Sequence, residues 1–370
     1  MNNSERAMRA RYMEWAKTRS RARFNLAISG IVSVPIADFP IGSGDLELTG
    51  PGGYGYAPLL ERLARHAGVS TDCIVPTFGT SMANHVAMAA TIERGDEVLI
   101  EEPVYGPLRD VASYLGARVK RIARRREDGF ALDPEEVARA ITSETRVIIV
   151  TNLHNPTSAA IPAETLRLIG ATAQRVGARV LVDEAYREAV FDRSAPSAFI
   201  VGEQLAGENP FVVTNSLTKI YGLSGLRCGW IVAAPELARR MWLLHDLFAA
   251  NAAHPAERLS TIAFDHLAQF RERARALLTT NRPLLESFLD SRADLECYRP
   301  EHGTVVFPRL KNGDPETLFT LLREKYETTV VPGHFFEMPQ HFRVGLSGNT
   351  DELRAGLERL GAALDEIARA

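Results

Sequence analysis

The feature that most constrains this chain is an alternation. From about Pro51 to Ala250, short apolar, β-rich runs take turns with amphipathic stretches of helical period. Helical patterns at 59–68, 81–94, 106–116, 133–141 and 163–176 are interleaved with strand patterns at 72–77, 97–101, 118–122, 146–152, 179–183 and 211–216. Asp133 followed by Pro134 marks one helix start, as a cap with proline in the first turn. Such a succession predicts an α/β fold, a mostly parallel sheet with helices on both faces. Sheets of this kind bind ligands beyond the carboxyl ends of their strands, so the residues just after each strand are the ones to read for chemistry.

After about residue 250 the pattern changes. A long arginine-rich helical stretch (255–291) leads to strand candidates at 303–310, 328–331 and 341–346, and an amphipathic helix runs from Asp351 to the end. This texture predicts a smaller α+β domain. The expected division is an N-terminal arm at 1–44 packed on the small domain, a large domain at 45–250 and a small domain at 251–370.

Composition narrows the function. With 370 residues, 45% hydrophobic, 24% charged and a net charge of −3, the chain can bury a large core and carries no basic footprint for nucleic acid. Its longest apolar runs, such as Val147 to Val150, fall far short of the ~20 residues that span a bilayer. The arginine-rich start lacks the apolar core of a secretory signal, and Tyr12 and Trp15 beside Glu5 and Glu14 read as a short amphipathic helix. Three cysteines (Cys73, Cys228, Cys297) cannot all pair and lack metal-ligand spacing, so the expectation is a reducing cytoplasm and no metal. Only five of the 43 basic residues are lysine (Lys17, Lys120, Lys219, Lys311, Lys325), which leaves lysine chemistry five candidates.

The polar residues at the strand ends are Thr80 and Ser81, Tyr105, Asn155, Asp183 with Tyr186, and Ser216 with Lys219. No glycine-rich dinucleotide or Walker fingerprint is among them. Lys219 lies in Asn215-Ser216-Leu217-Thr218-Lys219-Ile220-Tyr221-Gly222-Leu223-Ser224-Gly225-Leu226-Arg227-Cys228-Gly229-Trp230, a Gly/Ser-rich turn after an apolar strand. A loop lysine is ordinarily a solvated one. Here two hydroxyls and Arg227 add donors suited to a phosphate. A lysine that forms a Schiff base needs such a partly desolvated setting with a cation nearby.

This segment closely resembles the lysine motif of class I/II aminotransferases, pyridoxal-phosphate (PLP) enzymes of fold type I in the aspartate aminotransferase superfamily: Ser-x-x-Lys with an arginine eight residues on. The resemblance implies a homodimer with shared sites and an internal aldimine on Lys219. It implies that Ser216, Thr218 and Arg227 hold the cofactor phosphate. Thr80 and Ser81, in Phe78-Gly79-Thr80-Ser81-Met82-Ala83-Asn84, would add helix N-terminal amides.

Further blocks match in the family's order. In Val180-Leu181-Val182-Asp183-Glu184-Ala185-Tyr186, Asp183 would pair with the pyridine nitrogen and Tyr186 would donate to the phenolic oxygen, although a strand-end aspartate also serves as a helix cap. In Asn152-Leu153-His154-Asn155-Pro156-Thr157, Asn155 would bond the phenolic oxygen, His154 reads as a solvent-facing or packed histidine, and Ser158 stands where the family usually has glycine. Tyr105, in Glu101-Glu102-Pro103-Val104-Tyr105-Gly106, would stack on the ring. Arg343, in His341-Phe342-Arg343-Val344-Gly345-Leu346-Ser347, would receive the substrate α-carboxylate, with Asn155 and Gly30 in the substrate-binding set. Tyr54 rather than Tyr56 is taken as the residue reaching the partner's phosphate.

The activity implied is transamination between an L-amino acid and a 2-oxo acid by a ping-pong mechanism, with Lys219, Asp183 and Tyr186 as the reacting group's own set. A β-lyase, decarboxylase or oxidase would use the same site. A silent PLP-binding regulator would need a DNA-binding head, for which the stretch before Asn25 is too short. The 244–255 segment offers no arginine for a second substrate carboxylate, so the expected amino donor is neutral or aromatic.

Overall fold

The protein is described by a computed structural model covering residues 8–191 and 195–369. Seven strands form its main sheet: β1 (Ile74–Phe78), β2 (Glu97–Glu102), β3 (Arg118–Ala123), β4 (Thr145–Thr151), β5 (Arg179–Asp183), β6 (Phe211–Ser216) and β7 (Cys228–Val232). Their order across the sheet is β1-β7-β6-β5-β4-β2-β3. From β6 to β3 every pair is parallel, while β7 runs antiparallel between β1 and β6. Side chains alternate between two apolar layers: Ile148, Val180, Val182 and Phe211 lie in one, Val147, Ile149, Leu181 and Val212 in the other. A sheet buried on both faces explains why these strands read as unbroken apolar runs rather than alternating ones.

The reading of 228–230 as part of a turn is corrected by β7. Trp230 is buried in the core, and glycine is needed beside it because the chain passes the backbone of Gly79: a Cβ at Gly229 would lie 2.4 Å from the Gly79 carbonyl carbon. Local glycine content suggested a turn, and tertiary packing made a strand.

Helices before residue 250 include α1 (Arg11–Thr18), α2 (Ala57–Ala67), α3 (Thr80–Ala89), α4 (Gly106–Tyr114), α5 (Pro134–Ala140), α6 (Ala163–Gln174) and α7 (Pro235–Ala249). Asp133 does cap α5, accepting from the Glu135 amide. The single helix expected at 255–291 is two, α8 (His254–Asp265) and α9 (Leu267–Asp290), separated at His266, whose φ of −118° is not helical.

Beyond α9, strands β8 (Val305–Val306), β9 (Val331–Pro332) and β10 (Phe342–Gly345) pair antiparallel in the order β8-β10-β9. Helices α10 (Pro315–Glu324) and α11 (Thr350–Ile367) complete this layer. The strands are shorter than expected, because Pro308 interrupts the 303–310 run and the 328–331 run is split between two partners.

Two features tie the ends of the chain to the site. Phe24 and Asn25 pair in parallel with Thr328 and Thr329, and α1 crosses from Tyr105 to Phe335. Glu337, just past the 333–336 turn, accepts from Arg109 of α4 at 2.8 Å and from Arg121 of β3 at 2.5 Å. Among the described residues no helix is long and apolar enough to cross a membrane, and no His, Cys, Asp or Glu group is arranged to hold a metal.

Gly229→Ala should destabilise the protein by about 3 kcal/mol, because the clash is with backbone rather than a flexible side chain. Denaturant unfolding monitored by tryptophan fluorescence would show it; a variant within about 0.5 kcal/mol of wild type, on the scale of surface substitutions, would contradict the close approach.

Candidate active site

Because β2, β4, β5 and β6 run in parallel, their carboxyl ends deliver Glu102, Thr151, Asp183 and Ser216 to one edge of the sheet. A cavity of about 260 Å³ lies there. Ten residues singled out in the sequence border it: Thr80, Ser81, Tyr105, Asn155, Asp183, Tyr186, Ser216, Thr218, Lys219 and Arg227. Three others do not share that position. Arg343 lies behind Asn155 and Tyr12, Gly30 abuts the main chain of Lys219, and Tyr54 is on the outside, its hydroxyl donating to Asp246.

One end of the cavity is rich in donors. The Thr80 hydroxyl donates to Ser216 Oγ at 2.8 Å, and the Thr218 amide points to the same oxygen at 3.3 Å. Arg227 adopts a left-handed backbone (φ 52°) and lays its guanidinium against Gly79, donating to the Phe78 carbonyl at 3.0 Å. Gly79 (φ 80°) makes room for it, since a Cβ there would sit 2.3 Å from Arg227 Nη2. Thr80 and Ser81 open α3, whose first amides face outward without helical acceptors.

The middle of the cavity holds a buried carboxylate. Asp183 Oδ2 accepts from Asn84 Nδ2 at 2.8 Å and Oδ1 from the Ala185 amide at 3.0 Å. Burial pushes its pKa up, and Asn84, the Ala185 amide and the Lys219 charge act against that rise. Asn84 is held in turn by the Thr214 hydroxyl at 2.6 Å. Facing Asp183, Lys219 Nζ donates to Ser29 Oγ at 3.1 Å and lies 5.6 Å from the centre of the Tyr186 ring. The Tyr186 hydroxyl donates to the same Ser29 oxygen at 2.9 Å.

The far side is a supported turn. Asn155 donates its amide to Thr151 Oγ1, and Thr151 donates to Glu101, whose ion pair with Arg124 is fully buried at 2.7 Å. Of the solvent-facing and packed alternatives for His154, the structure shows the packed one: its ring nitrogens meet Thr157 Oγ1 and the Pro103 carbonyl, and burial holds its pKa well below the usual range. Ser158 takes the left-handed conformation (φ 60°) that the family's glycine would suit, and its hydroxyl donates to the Val305 carbonyl. Serine is thus accommodated in the left-handed conformation at this turn.

Sequence reading missed Ser29, Asn84, Tyr12 and Met13. Asn84 carried a usable signal, since it lies four residues after Thr80 and so on the same helix face. Ser29, Tyr12 and Met13 come from the arm before the first sheet strand, and only tertiary contacts bring them here.

These groups fit a phosphorylated pyridine: a donor-rich end with a cradle that a Cβ would fill, a buried carboxylate held by two donors, and an amine on the Ser29 hydroxyl beside the Tyr186 ring. Comparison with known proteins agrees. A family model, aminotransferase class I and II, matches residues 41–360. Capreomycidine synthase of Streptomyces vinaceus is 30% identical over 302 residues, 80% of this chain and 75% of that protein. A PLP-dependent aminotransferase from Streptococcus suis superposes with a TM-score of 0.90 at 25% identity, and the PLP-dependent cyclase OrfR with 0.87 at 26%, each over 98% of both chains.

Asn84→Ala should leave the fold intact and weaken PLP binding by roughly tenfold, because the buried Asp183 carboxylate loses one of its two donors. Cofactor titration followed by tryptophan quenching tests this; an unchanged affinity would mean that Asp183 needs no fixed orientation.

Proposed function

The chain belongs to the aminotransferase class I and II family, and we propose that it moves an amino group between an L-amino acid and a 2-oxo acid. Its cofactor is pyridoxal 5′-phosphate. The observation that carries this reading is the placement of Lys219 Nζ in a cavity with a buried carboxylate opposite and an arginine-and-hydroxyl cluster at one end.

In this reading Arg227, Ser216, Thr218, Thr80 and Ser81 hold the phosphate, where arginine gives paired donors and α3 gives free amides. Asp183 would hold the protonated ring nitrogen, which would offset the cost of its own burial. Tyr186 and Asn155 would hold the phenolic oxygen, and Tyr105 would pack against the ring. When bound, PLP supplies an electron sink that makes the substrate's Cα proton removable. Lys219 Nζ, steered by Ser29 and the Tyr186 ring, takes that proton as general base. Arg343 binds the α-carboxylate and so fixes which Cα bond faces Lys219, while α1 covers the cavity and limits water.

A second reading has a specific observation behind it. Both capreomycidine synthase and a PLP-dependent cyclase are among the similar proteins. Lys219 as the base at Cα would be common to both readings, which differ in whether the product is a 2-oxo acid or a ring-closed amino acid. The absence of arginine in 244–255 supports a neutral or aromatic amino donor. Exposed apolar side chains on 46–54 and 243–248, among them Leu48, Tyr54, Leu247 and Phe248, support a homodimer. The free thiols Cys73, Cys228 and Cys297 support a reducing, cytoplasmic setting.

Amino acids added singly to holoenzyme should convert the visible cofactor band to that of pyridoxamine phosphate, and a 2-oxo acid should restore it. Conversion by none, with ring-closed product instead, would favour the cyclase. Borohydride should fix the cofactor to the Lys219 peptide, and Lys219→Ala should lower turnover by roughly a thousandfold; label on Lys120 or Lys311 would overturn the site. Sedimentation should give a dimer, and a fully active monomer would remove that part of the proposal.

A further inference from the structure

Arg343 is 1% exposed, and three of its five N–H donors have acceptors among the described residues. Nη1 donates to Asn155 Oδ1 at 2.8 Å, and Nη2 donates both to the Tyr12 hydroxyl at 3.0 Å and to the Ala27 carbonyl at 3.2 Å. Nε is buried without a hydrogen-bond partner among the described residues. A guanidinium has five N–H donors. A carboxylate bound across two nitrogens takes one hydrogen from each, and both ways of doing so, through Nη1 and Nη2 or through Nε and Nη2, draw on Nη2. One of the two Nη2 partners must therefore yield. The Ala27 carbonyl is main chain, anchored where Leu26 bonds Thr329, whereas Tyr12 is a side chain on α1. The Tyr12 oxygen also accepts from Arg343 while its own O–H has no acceptor among the described residues.

We infer that Tyr12 is a carboxylate-binding residue: the substrate carboxylate displaces the Tyr12 oxygen from Arg343 Nη2, and the Tyr12 hydroxyl then donates to the carboxylate. This rests on the reading of Arg343 as the carboxylate's partner. The Tyr12 ring is bracketed by Tyr105 at 5.4 Å, Phe335 at 5.8 Å and Phe336 at 5.9 Å, so the hydroxyl has little freedom to leave the site. Tyr12, Met13 and Ala16 border the cavity, which places this recognition on α1 rather than on either domain's sheet. A contact that strengthens ligand binding must, by linkage, strengthen the docking of α1 by the same factor. Carboxylate binding and the docking of α1 are then coupled, and amino acid and 2-oxo acid share that coupling because each carries the same carboxylate.

The probe is 3-phenylpropanoate, a carboxylate with an amino-acid skeleton and no amine, titrated into holoenzyme and followed by the cofactor's visible band. Tyr12→Phe should weaken it by about tenfold, while 3-phenylpropanol should leave the band of the wild type unmoved. Equal or tighter binding to Tyr12→Phe would show that Tyr12 only plugs the arginine and would overturn the inference. A wild type that binds no carboxylate would remove the Arg343 reading and this inference together, whereas failure of amino acids to convert the cofactor would remove only the transaminase reading. A second measurement uses the wild type alone. Trypsin cuts after Arg11, Lys17 and Arg19, within and just beyond α1. Saturating 3-phenylpropanoate should slow that cleavage about tenfold; unchanged or faster cleavage would overturn the inference.

Discussion

Asp183 is a carboxylate at the end of a central strand, shielded from water and without a salt-bridge partner among the described residues. Such a charge is costly in a low-dielectric interior unless donors are fixed around it. Its two donors come from different elements, Asn84 on α3 and the Ala185 amide of its own turn. Asn84 is in turn held by Thr214, which stands beside Asp183 in the β5–β6 register. Asn84 thereby also links α3, which carries Thr80, to the β5–β6 pair. A shift of one residue between β5 and β6 would turn Thr214 to the opposite face and release Asn84.

A second buried charge supports the opposite wall. Glu101 and Arg124 are paired with no solvent access, and Glu101 also accepts from the amide and hydroxyl of Thr151. Because Thr151 receives the Asn155 amide, the ion pair reaches the turn that orients Asn155 and, through it, Arg343. Buried pairs contribute little net stability and are costly to break. Here the pair serves orientation: it gives a polar turn at the cavity rim a rigid floor.

The main sheet was legible because each parallel strand is a self-contained apolar run with its chemistry immediately after it. Lys219, Asp183 and Asn155 could be found for that reason, each lying within a few residues of a strand end. What stayed hidden was whatever depends on contact between distant segments. Cys228 to Val232 is a strand because Gly229 fits against Gly79, which no local pattern records. The break at His266 falls within a continuous helical pattern. Ser29 precedes Lys219 by 190 residues, and Tyr12 lies 331 residues from Arg343. The small-domain strands were blurred because two-residue strands are too short to show an alternation.

The clamp on Glu337 divides the molecule differently from the order of its chain. The turn at 333–336 belongs by sequence to the C-terminal layer, yet Glu337 behind it is gripped by Arg109 of α4 and Arg121 of β3, beside the main sheet. That grip helps keep Phe335 and Phe336 beside Tyr12 and Arg343. The partly exposed clamp is weakened by salt, as ion pairs of its kind are. Ionic strength thus becomes a control on how firmly the aromatic wall is held, separate from any charge on the substrate.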